Sequence, residues 1–348
     1  MRTHLNVPIV AWTALIAQQA HGKTMGAAAR HTYNGFNRDQ RTAATANERM
    51  PVTTPREDDQ STIPSAPSTG ATAPETAKTK LEVILGADGV SRLEQARVAV
   101  FGCGGVGSNC IEALARGGVG TIAIVDKDVV APSNINRQAI AYHSTVGRRK
   151  IDVTQAMIAD INPDCRVIAR HAFVLAENIE ELLAELEDAC GGPLDYIVDA
   201  IDTVSTKLAI AKLAEERGLA LISSMGGANK LHPECLRIAD VHKTVNDSLS
   251  RIMRKECRKR GIKHLRVLYS CEEPMHLKAR EGAARSERSD LGTASFMPPI
   301  MGQMIAGEVI RQISGVGVSS DTASALAMHD AAQRGVLGGR KGGSKKSS

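Results

Sequence analysis

The sequence feature that most constrains the fold is a glycine-rich turn at residues 102–107, between a strand candidate at residues 97–101 and a helical pattern at residues 108–117. Glycines there allow a tight bend and let backbone N–H groups approach a phosphate at the positive end of the helix dipole. In this strand-to-helix context, the G-x-G-x-x-G pattern predicts a nucleotide-binding turn. The glycines expected to contact the nucleotide are Gly102, Gly104, Gly105 and Gly107.

Short β-branched runs and helical patterns alternate along the chain from residue 80 onward. The strand candidates are residues 97–101, 121–125, 166–169, 196–199, 219–223, 236–241 and 265–269. The helix candidates are residues 108–117, 149–161, 176–189 and 205–217. This alternation implies βαβ units, and hence a mainly parallel sheet with helices on both faces. The sequence therefore predicts a Rossmann-like, doubly wound α/β fold.

The chain divides into three predicted parts. Residues 80–315 form the folded domain, and residues 316–348 form a flexible basic tail. Residues 1–79 form an extension that is too poor in large apolar residues to repay the entropy of ordering. The first acidic residue is Asp39, so the N-terminus is basic and acid-poor. This pattern is typical of a mitochondrial transit peptide, and an untargeted extension of a cytoplasmic protein fits it equally well.

Composition excludes several classes of protein. Lys and Arg total 43 against 38 Asp and Glu, and the excess equals the five basic residues that follow Asp330, the last acidic residue of the chain. The near-neutral body excludes a histone-like wrapping of nucleic acid, and an aromatic content of 3% disfavours a base-stacking platform. Seven dispersed cysteines without a C-x-x-C pair argue against a disulfide framework or a four-cysteine zinc site. No apolar stretch reaches the ~18–20 residues of a membrane span, so we expect no stable membrane insertion.

Charged and polar residues after the second strand candidate separate two kinds of nucleotide site. Asp126 follows that strand at the position where an acid accepts hydrogen bonds from a ribose. Asp128, Asn134, Arg137 and Lys150 come next along the chain. Two cations converging on one nucleotide suit a triphosphate, whereas a hydride-transfer enzyme needs no such arrangement. These residues therefore favour ATP over NAD.

A pair of aspartates, Asp199 and Asp202, stands at the end of the fourth strand candidate. The carboxyl edge of a doubly wound sheet faces the ligand crevice. Because Mg²⁺ takes one or two carboxylates together with phosphate oxygens, we expect Asp202 to hold Mg²⁺. Asp199 fits a structural or helix-capping role equally well.

At this combination of motifs the sequence resembles the ubiquitin-activating-like superfamily of ATP-dependent carboxylate adenylyltransferases. The shared motifs are the G-x-G-G-x-G turn at 102–107, the acid pair at 126–128, N-x-N-R-Q at 134–138, G-x-x-K at 147–150 and D-x-x-D at 199–202. Within that superfamily it is similar to the tRNA threonylcarbamoyladenosine dehydratase group. The segments that carry this finer resemblance are 85–89, 198–202, 269–274 and 291–299.

The resemblance implies an ATP-dependent reaction on tRNA. ATP would adenylylate the threonine carboxylate of a modified adenosine, and attack from within the same side chain would close a ring and release AMP. Arg137 and Lys150 would stabilise the β and γ phosphates, and Asp202 would hold Mg²⁺. Such proteins are typically homodimers in which an Arg reaches the partner subunit's ATP; Lys80 stands at that position here. A sulfur-transfer partner is a further expectation of the resemblance.

A basic segment between residues 251 and 266 carries eight cations and one acid. Helical spacing places four of them on one face: Arg251, Arg254, Lys255 and Arg258. Leu249, Ile252 and Met253 would form a short apolar stripe on the same helix. We expect this face to track the phosphate backbone of tRNA, with a solvated surface as the alternative.

Three other functions remain open from the sequence. One is an adenylyltransferase that activates the C-terminus of a ubiquitin-like or sulfur-carrier protein. Another is an NAD-dependent oxidoreductase, which the phosphate-binding cations and the lack of a Tyr-x-x-x-Lys pair disfavour. The third is a non-catalytic tRNA-binding or scaffold protein that retains the fold.

Overall fold

The computed structural model describes residues 75–273, 275 and 292–317. All of them belong to a unit that spans Ala71–Ser348. The N-terminal extension up to residue 74, with its possible targeting signal, lies outside the described residues. So does the tail from residue 318 onward.

In the described part of the chain, seven strands form one sheet in the order β3-β2-β1-β4-β5-β7-β6. The strands are β1 (Arg97–Phe101), β2 (Thr121–Val125), β3 (Arg166–Arg170), β4 (Tyr196–Asp199), β5 (Leu221–Ser224), β6 (Leu236–Asp240) and β7 (Arg266–Ser270). Neighbouring strands are parallel except for β6 and β7, which are antiparallel. The predicted Rossmann-like, mainly parallel sheet is confirmed.

Seven α-helices accompany these strands in the described part of the chain. They are α1 (Thr79–Gln95), α2 (Gly105–Arg116), α3 (Lys150–Ile161), α4 (Ile179–Cys190), α5 (Val204–Arg217), α6 (Ser248–Arg260) and α7 (Met297–Ser314). The alternation of patterns did not predict α1, whose helical geometry is broken at Gly86. That break interrupts the apolar spacing by which a helix is recognised in sequence.

The helices cover both faces of the sheet, as predicted for a doubly wound fold. Helices α1, α2, α3 and α7 pack on the face that bears Val98 and Val100 of β1. Helices α4 and α5 pack on the opposite face, which bears Ala99 and Phe101. Helix α6 joins α5 on that second side, against Val267 of β7. Five of the seven cysteines are buried, as expected for small core residues.

Several predicted boundaries were wrong by one to three residues, and local hydrogen bonds explain why. Strand β5 starts at Leu221 rather than at residue 219, because the Leu219 N–H donates to Ala214 O (2.9 Å) and closes α5. Helix α4 starts at Ile179 rather than at 176, because Asn178 forms a local turn with Phe173 O (2.9 Å). Helix α2 starts three residues early, inside the glycine turn, because Ser108 N–H already donates to Gly104 O (2.9 Å).

The sheet reverses its strand order between β1 and β4. From β1 the chain proceeds through β2 and β3 to one edge, and then returns to place β4 on the other side of β1. Such a switch point leaves a crevice beyond the carboxyl ends of the two strands, where ligands bind in this class of fold.

No helix among the described residues is both long enough and apolar enough to cross a membrane.

Candidate active site

A cavity of about 440 Å³ opens at the carboxyl edge of the sheet, at the switch point between β1 and β4. Its walls come from the glycine turn, the segment after β2, the start of α3 and the loops after β4 and β5. Nine of the ten predicted nucleotide-site residues line it: Gly102, Gly104, Gly105, Asp126, Asp128, Asn134, Arg137, Lys150 and Asp202.

The glycine turn is shaped by close approach between backbone segments. Gly102 has φ +96°, and a Cβ there would lie 2.9 Å from the backbone oxygen of Ala200. A Cβ on Gly107 would lie 1.8 Å from the oxygen of Gly102, so no side chain fits at that position. Gly107 lies behind the cavity rather than in its lining. The close approach to Gly102 gives Gly107 a packing role, and its contact with the nucleotide stays a prediction.

The acid predicted to bind a ribose, Asp126, also stabilises the turn. Its Oδ2 accepts a hydrogen bond from Cys103 N (2.7 Å), and its Oδ1 accepts one from Asp128 N (2.7 Å). An ionised carboxylate has about four acceptor positions, so capacity for ligand hydroxyls is left. Burial, and then the Asp126 carboxylate, raise the pKa of the Cys103 thiol well above its usual range. Cys103 is therefore a protonated core residue and not a nucleophile.

Lys150 and Asp128 form an ion pair on the cavity wall. Lys150 is the first residue of α3, and its Nζ lies 2.9 Å from Asp128 Oδ2. The Lys150 side chain is only 7% exposed, whereas Asp128 is half exposed. The Lys150 backbone N–H also donates to Asp128 O (3.0 Å). A cation at a helix N-terminus opposes the helix dipole, and the Asp128 carboxylate offsets that cost here.

Arg137 is held beside the glycine turn by its own loop. Its Nη1 donates to Ser133 O (2.8 Å) and to Asn136 Oδ1 (2.8 Å). The Arg137 carbonyl in turn accepts a bond from Asn109 Nδ2 (3.0 Å), which also donates to Gly105 O (2.6 Å). The guanidinium is therefore positioned relative to the start of α2.

Sequence reasoning missed the polar residues that join this loop to α2. Besides Asn109, Ser108 donates through Oγ to Gly104 O (2.7 Å) and accepts a bond from Ala139 N (3.0 Å). Both side chains are buried. The available signal was a pair of polar residues directly after the glycine turn, next to the apolar residues Cys110 and Ile111.

Gln138 is a further lining residue outside the predicted set. It is buried, and its Oε1 has no hydrogen-bond partner in the described part of the chain. Buried polar atoms are nearly always satisfied, so this unpaired acceptor is a rare exception.

The two aspartates after β4 have different environments. Asp199 is fully buried, and its Oδ2 pairs with Lys207 Nζ (3.1 Å) and accepts a bond from Ser223 Oγ (2.6 Å). It is therefore a structural acid, one of the two roles left open for it. Asp202 is exposed at the cavity, where its Oδ1 accepts only a long bond from Thr203 Oγ1 (3.4 Å) among the described residues.

A smaller pocket of about 80 Å³ adjoins the cavity on the β2 and β3 side. It shares Asp126 and Asp202 with the main cavity and adds the ring of Phe173. Lys127 Nζ lies 4.0 Å from the centroid of that ring. The pocket thus offers an aromatic surface next to the predicted ribose position.

The basic segment is helix α6, but its faces differ from the prediction. Arg254 is half buried, and its Nη1 donates to Thr244 O (2.6 Å) and to the Thr244 hydroxyl. It therefore anchors the helix instead of presenting its charge. Ile252 is exposed, and the core-facing residues of α6 are Ser250, Met253 and Cys257. These three residues are spaced at i, i+3 and i+7 and so lie on one face of the helix, whereas Ile252 lies on another face.

Three cations remain on the outer face of α6: Arg251, Lys255 and Arg258. They have no ion-pair partner among the described residues. By contrast, Glu256 pairs with Lys259 (3.1 Å) and with Arg260. The available phosphate-binding face is therefore narrower than the sequence indicated.

Comparison with known proteins agrees with this geometry. The ThiF family model matches residues 76–336. The tRNA threonylcarbamoyladenosine dehydratase of Bacillus subtilis is 39% identical over 241 residues, which are 67% of this chain and 92% of the relative. The protein of that name from Haemophilus influenzae is 36% identical over 172 residues, or 49% of this chain and 63% of the relative.

A solved structure of the E. coli tRNA N6-threonylcarbamoyladenosine dehydratase TcdA in complex with ATP is also similar. It aligns with a TM-score of 0.58 and 26% identity, covering 66% of this chain and 90% of that structure. Since the family model matches three quarters of its residues, this chain belongs to the ThiF family.

Proposed function

We propose that this protein is an ATP-dependent tRNA threonylcarbamoyladenosine dehydratase. The observation that carries the proposal is one cavity in which a helix N-terminus, Arg137, Lys150 and Asp202 converge. Two cations and a helix dipole match the charge of a triphosphate better than that of a nicotinamide cofactor. A relative with this name aligns over 92% of its own length.

The reaction consists of two group transfers. First, the threonine carboxylate of the modified adenosine attacks the α-phosphorus of ATP, so that an acyl-adenylate forms and pyrophosphate leaves. Then an atom of the same side chain attacks the activated carbonyl carbon, the ring closes and AMP leaves. The nucleoside loses one water overall. Because the second nucleophile belongs to the substrate, proximity supplies much of the acceleration and the protein needs no nucleophile of its own.

The cavity supplies a role for each part of ATP. The Phe173 pocket suits the adenine, and Asp126 suits the ribose hydroxyls. Arg137 and Lys150 line the same cavity, which supports a role for them in stabilising charge that gathers on the departing pyrophosphate.

The experiment that tests this function is ATP–pyrophosphate exchange. We expect tRNA carrying threonylcarbamoyladenosine to stimulate exchange, and the cyclised nucleoside to appear in the tRNA after digestion. Stimulation by a ubiquitin-like or sulfur-carrier protein, without stimulation by tRNA, would instead identify a carrier-activating enzyme. Absence of exchange with either would contradict an adenylylation function altogether.

The residues at the cavity also fit Mg²⁺. Asp202 presents a carboxylate whose one recorded partner in the described residues is the Thr203 hydroxyl, and no group of three metal-ligating side chains occurs in those residues. This donor set suits Mg²⁺, which is commonly held by one or two carboxylates together with substrate phosphates and water. Bound there, Mg²⁺ would neutralise phosphate charge and orient the triphosphate.

We expect Asp202→Asn to raise the Mg²⁺ concentration that adenylylation requires. At limiting Mg²⁺ the rate should fall by at least about tenfold, the loss that even an outer-sphere partner of a metal typically produces. The fold should be unaffected, since Asp202 is exposed. The measurement is exchange rate against Mg²⁺ concentration.

Asp164→Asn is the matched control, because that side chain is 82% exposed. Asp164 lies just before β3, at the amino ends of the strands, whereas the cavity lies at their carboxyl ends. An unchanged Mg²⁺ dependence in Asp202→Asn would remove this residue from the metal site.

The outer face of α6 is proposed to bind the tRNA backbone. Replacing Arg251, Lys255 and Arg258 together by Gln should weaken tRNA binding and lower the log–log salt slope by up to about three units, one for each phosphate contact. ATP affinity should not change. Binding titrations at several salt concentrations measure both effects.

The matched control replaces Lys259 and Arg260, which are already paired with Glu256 on the same helix. If the triple variant and the control gave equal log–log salt slopes, the outer face of α6 would be a solvated surface that does not bind tRNA.

We also propose a homodimer. In the first half of α1, Val83 and Ile84 are 83% and 71% exposed, an unusual position for two adjacent large apolar side chains. Lys80 is exposed on the same turn of helix, where the family resemblance places a cation for a partner subunit. A sulfur-transfer partner stays a prediction from the resemblance.

A further inference from the structure

Helix α6 belongs to two surfaces at once. In its first turn, Leu249 lines the cavity. Farther along, Arg251, Lys255 and Arg258 form the outer basic face. Leu249 and Arg258 are nine residues apart, which corresponds to about 14 Å along a helix axis. A phosphate bound at Arg258 is thus linked to the cavity by one rigid element.

A buried ion pair holds the start of this helix. Asp247 is the N-cap of α6, and its Oδ1 accepts a bond from Ser250 N (2.6 Å). Its Oδ2 lies 3.4 Å from Lys230 Nζ, and the two side chains are only 3% and 2% exposed. Lys230 Nζ also donates to Ser270 O (2.9 Å) and Glu272 O (3.2 Å), so it joins the helix cap to the end of β7.

The loop that lines the cavity after β5 continues along the chain to Lys230, one member of the buried ion pair. Ser224 to Ala228 line the cavity, and Asn229 and Lys230 follow them in the chain. Asn229 has φ +58°, and its Oδ1 accepts a bond from Gly292 N (2.8 Å). Thr293, the next residue, also lines the cavity. The cavity-lining loops at residues 224–230 and 292–293 therefore contact each other next to Lys230, which pairs with the N-cap of α6.

Stability alone is a poor explanation for such a pair. The cost of removing two charges from water offsets their attraction, and replacement of both by neutral groups is often harmless. What the pair supplies is geometry, because it fixes one end of α6 against the cavity wall through charge-assisted bonds.

We propose that Lys230 and Asp247 are positioning residues that set the orientation of tRNA-bearing α6 relative to the adenylylation cavity. This inference rests on the proposed function. The basic face binds the tRNA backbone, and the pair directs the modified nucleoside to the α-phosphorus of ATP. Neither residue needs to touch the reacting atoms.

The test is the double variant Lys230→Met with Asp247→Asn. Asparagine preserves the N-cap acceptor, and the loss of both charges leaves no uncompensated ion in the interior. We expect kcat for cyclisation to fall by about tenfold to a hundredfold, the effect of a small misplacement of reactants. The dissociation constants for tRNA and ATP and the salt slope should stay at their wild-type values.

Asp240→Asn is the matched control. Asp240 also caps a short helical turn, accepting a bond from His242 N (2.8 Å), but it is not among the residues that line the cavity. An equal fall in kcat in this control would point to general loosening of the region and overturn the inference.

Two other results would also decide the matter. Wild-type kcat in the double variant would overturn the inference, and so would a rate loss fully explained by weaker binding of ATP or tRNA. Absence of tRNA-dependent ATP consumption in the wild-type protein would instead show that the proposed function has failed.

Discussion

Lys150→Ala is expected to lower the rate of adenylate formation by about a hundredfold to a thousandfold, the cost of removing one preorganised charge at a developing anion. Lys150 is nearly buried on the cavity wall at the first residue of α3. Pyrophosphate exchange measures the effect. Arg137→Ala should show a loss of the same order, while tRNA affinity stays unchanged in both variants.

The step affected can be isolated with a pre-activated substrate. A synthetic acyl-adenylate of the modified nucleoside bypasses the attack on ATP, so both variants should cyclise it at nearly the wild-type rate. Equal defects with ATP plus tRNA and with the acyl-adenylate would show that these cations serve ring closure or folding instead of phosphate stabilisation.

Two further variants sharpen the interpretation of Lys150→Ala. Arg149 is the matched control, since it precedes Lys150, is exposed, and pairs with Asp152 (2.7 Å) outside the cavity. Arg149→Ala should therefore leave exchange unchanged. Part of the loss in Lys150→Ala will come from Asp128, whose unpaired carboxylate would repel the phosphates. The double variant Lys150→Ala with Asp128→Asn should therefore recover only the part of the exchange rate that is lost through this repulsion.

The outline of the site could be predicted because βα topology brings strand ends together. Asp126 follows β2 and Asp202 follows β4, and parallel strands place both at the same sheet edge. Lys150 could be included because a cation at a helix N-terminus requires an explanation. Each of these inferences needs only the local sequence and the position of the residue at a strand end or helix start in a βαβ unit.

The residues that were missed or wrongly assigned depend on contacts outside their own helix or loop. Lys207 has the appearance of a surface lysine in its helix, yet its side chain is fully buried. Arg254 was assigned to the basic face, although Thr244, ten residues earlier, takes up its guanidinium. Gln138 belongs to the N-x-N-R-Q motif, but the motif does not indicate that its side chain is buried with an unpaired oxygen. Such partners are set by tertiary packing, which sequence spacing does not encode.

Lys207→Met is expected to lower the free energy of unfolding by about 3–5 kcal/mol, the usual cost of removing one member of a buried ion pair. Lys207 Nζ lies 3.1 Å from Asp199 Oδ2, and both side chains are 0% exposed. The same Nζ donates to Ser223 Oγ (3.2 Å) and Ser224 O (2.8 Å). Methionine restores most of the volume without the charge, so Asp199 would be left as an uncompensated carboxylate.

Urea unfolding followed by circular dichroism measures this loss, and two variants assign its cause. Lys212→Met, on the same helix, removes an exposed pair with Glu216, which contributes little. Adding Asp199→Asn to Lys207→Met removes the stranded charge and should recover much of the stability. A double variant no more stable than Lys207→Met would attribute the loss to packing instead. Because Ser224 lines the cavity and its carbonyl accepts from Lys207, the double variant should still bind ATP more weakly than wild type even where its stability is restored.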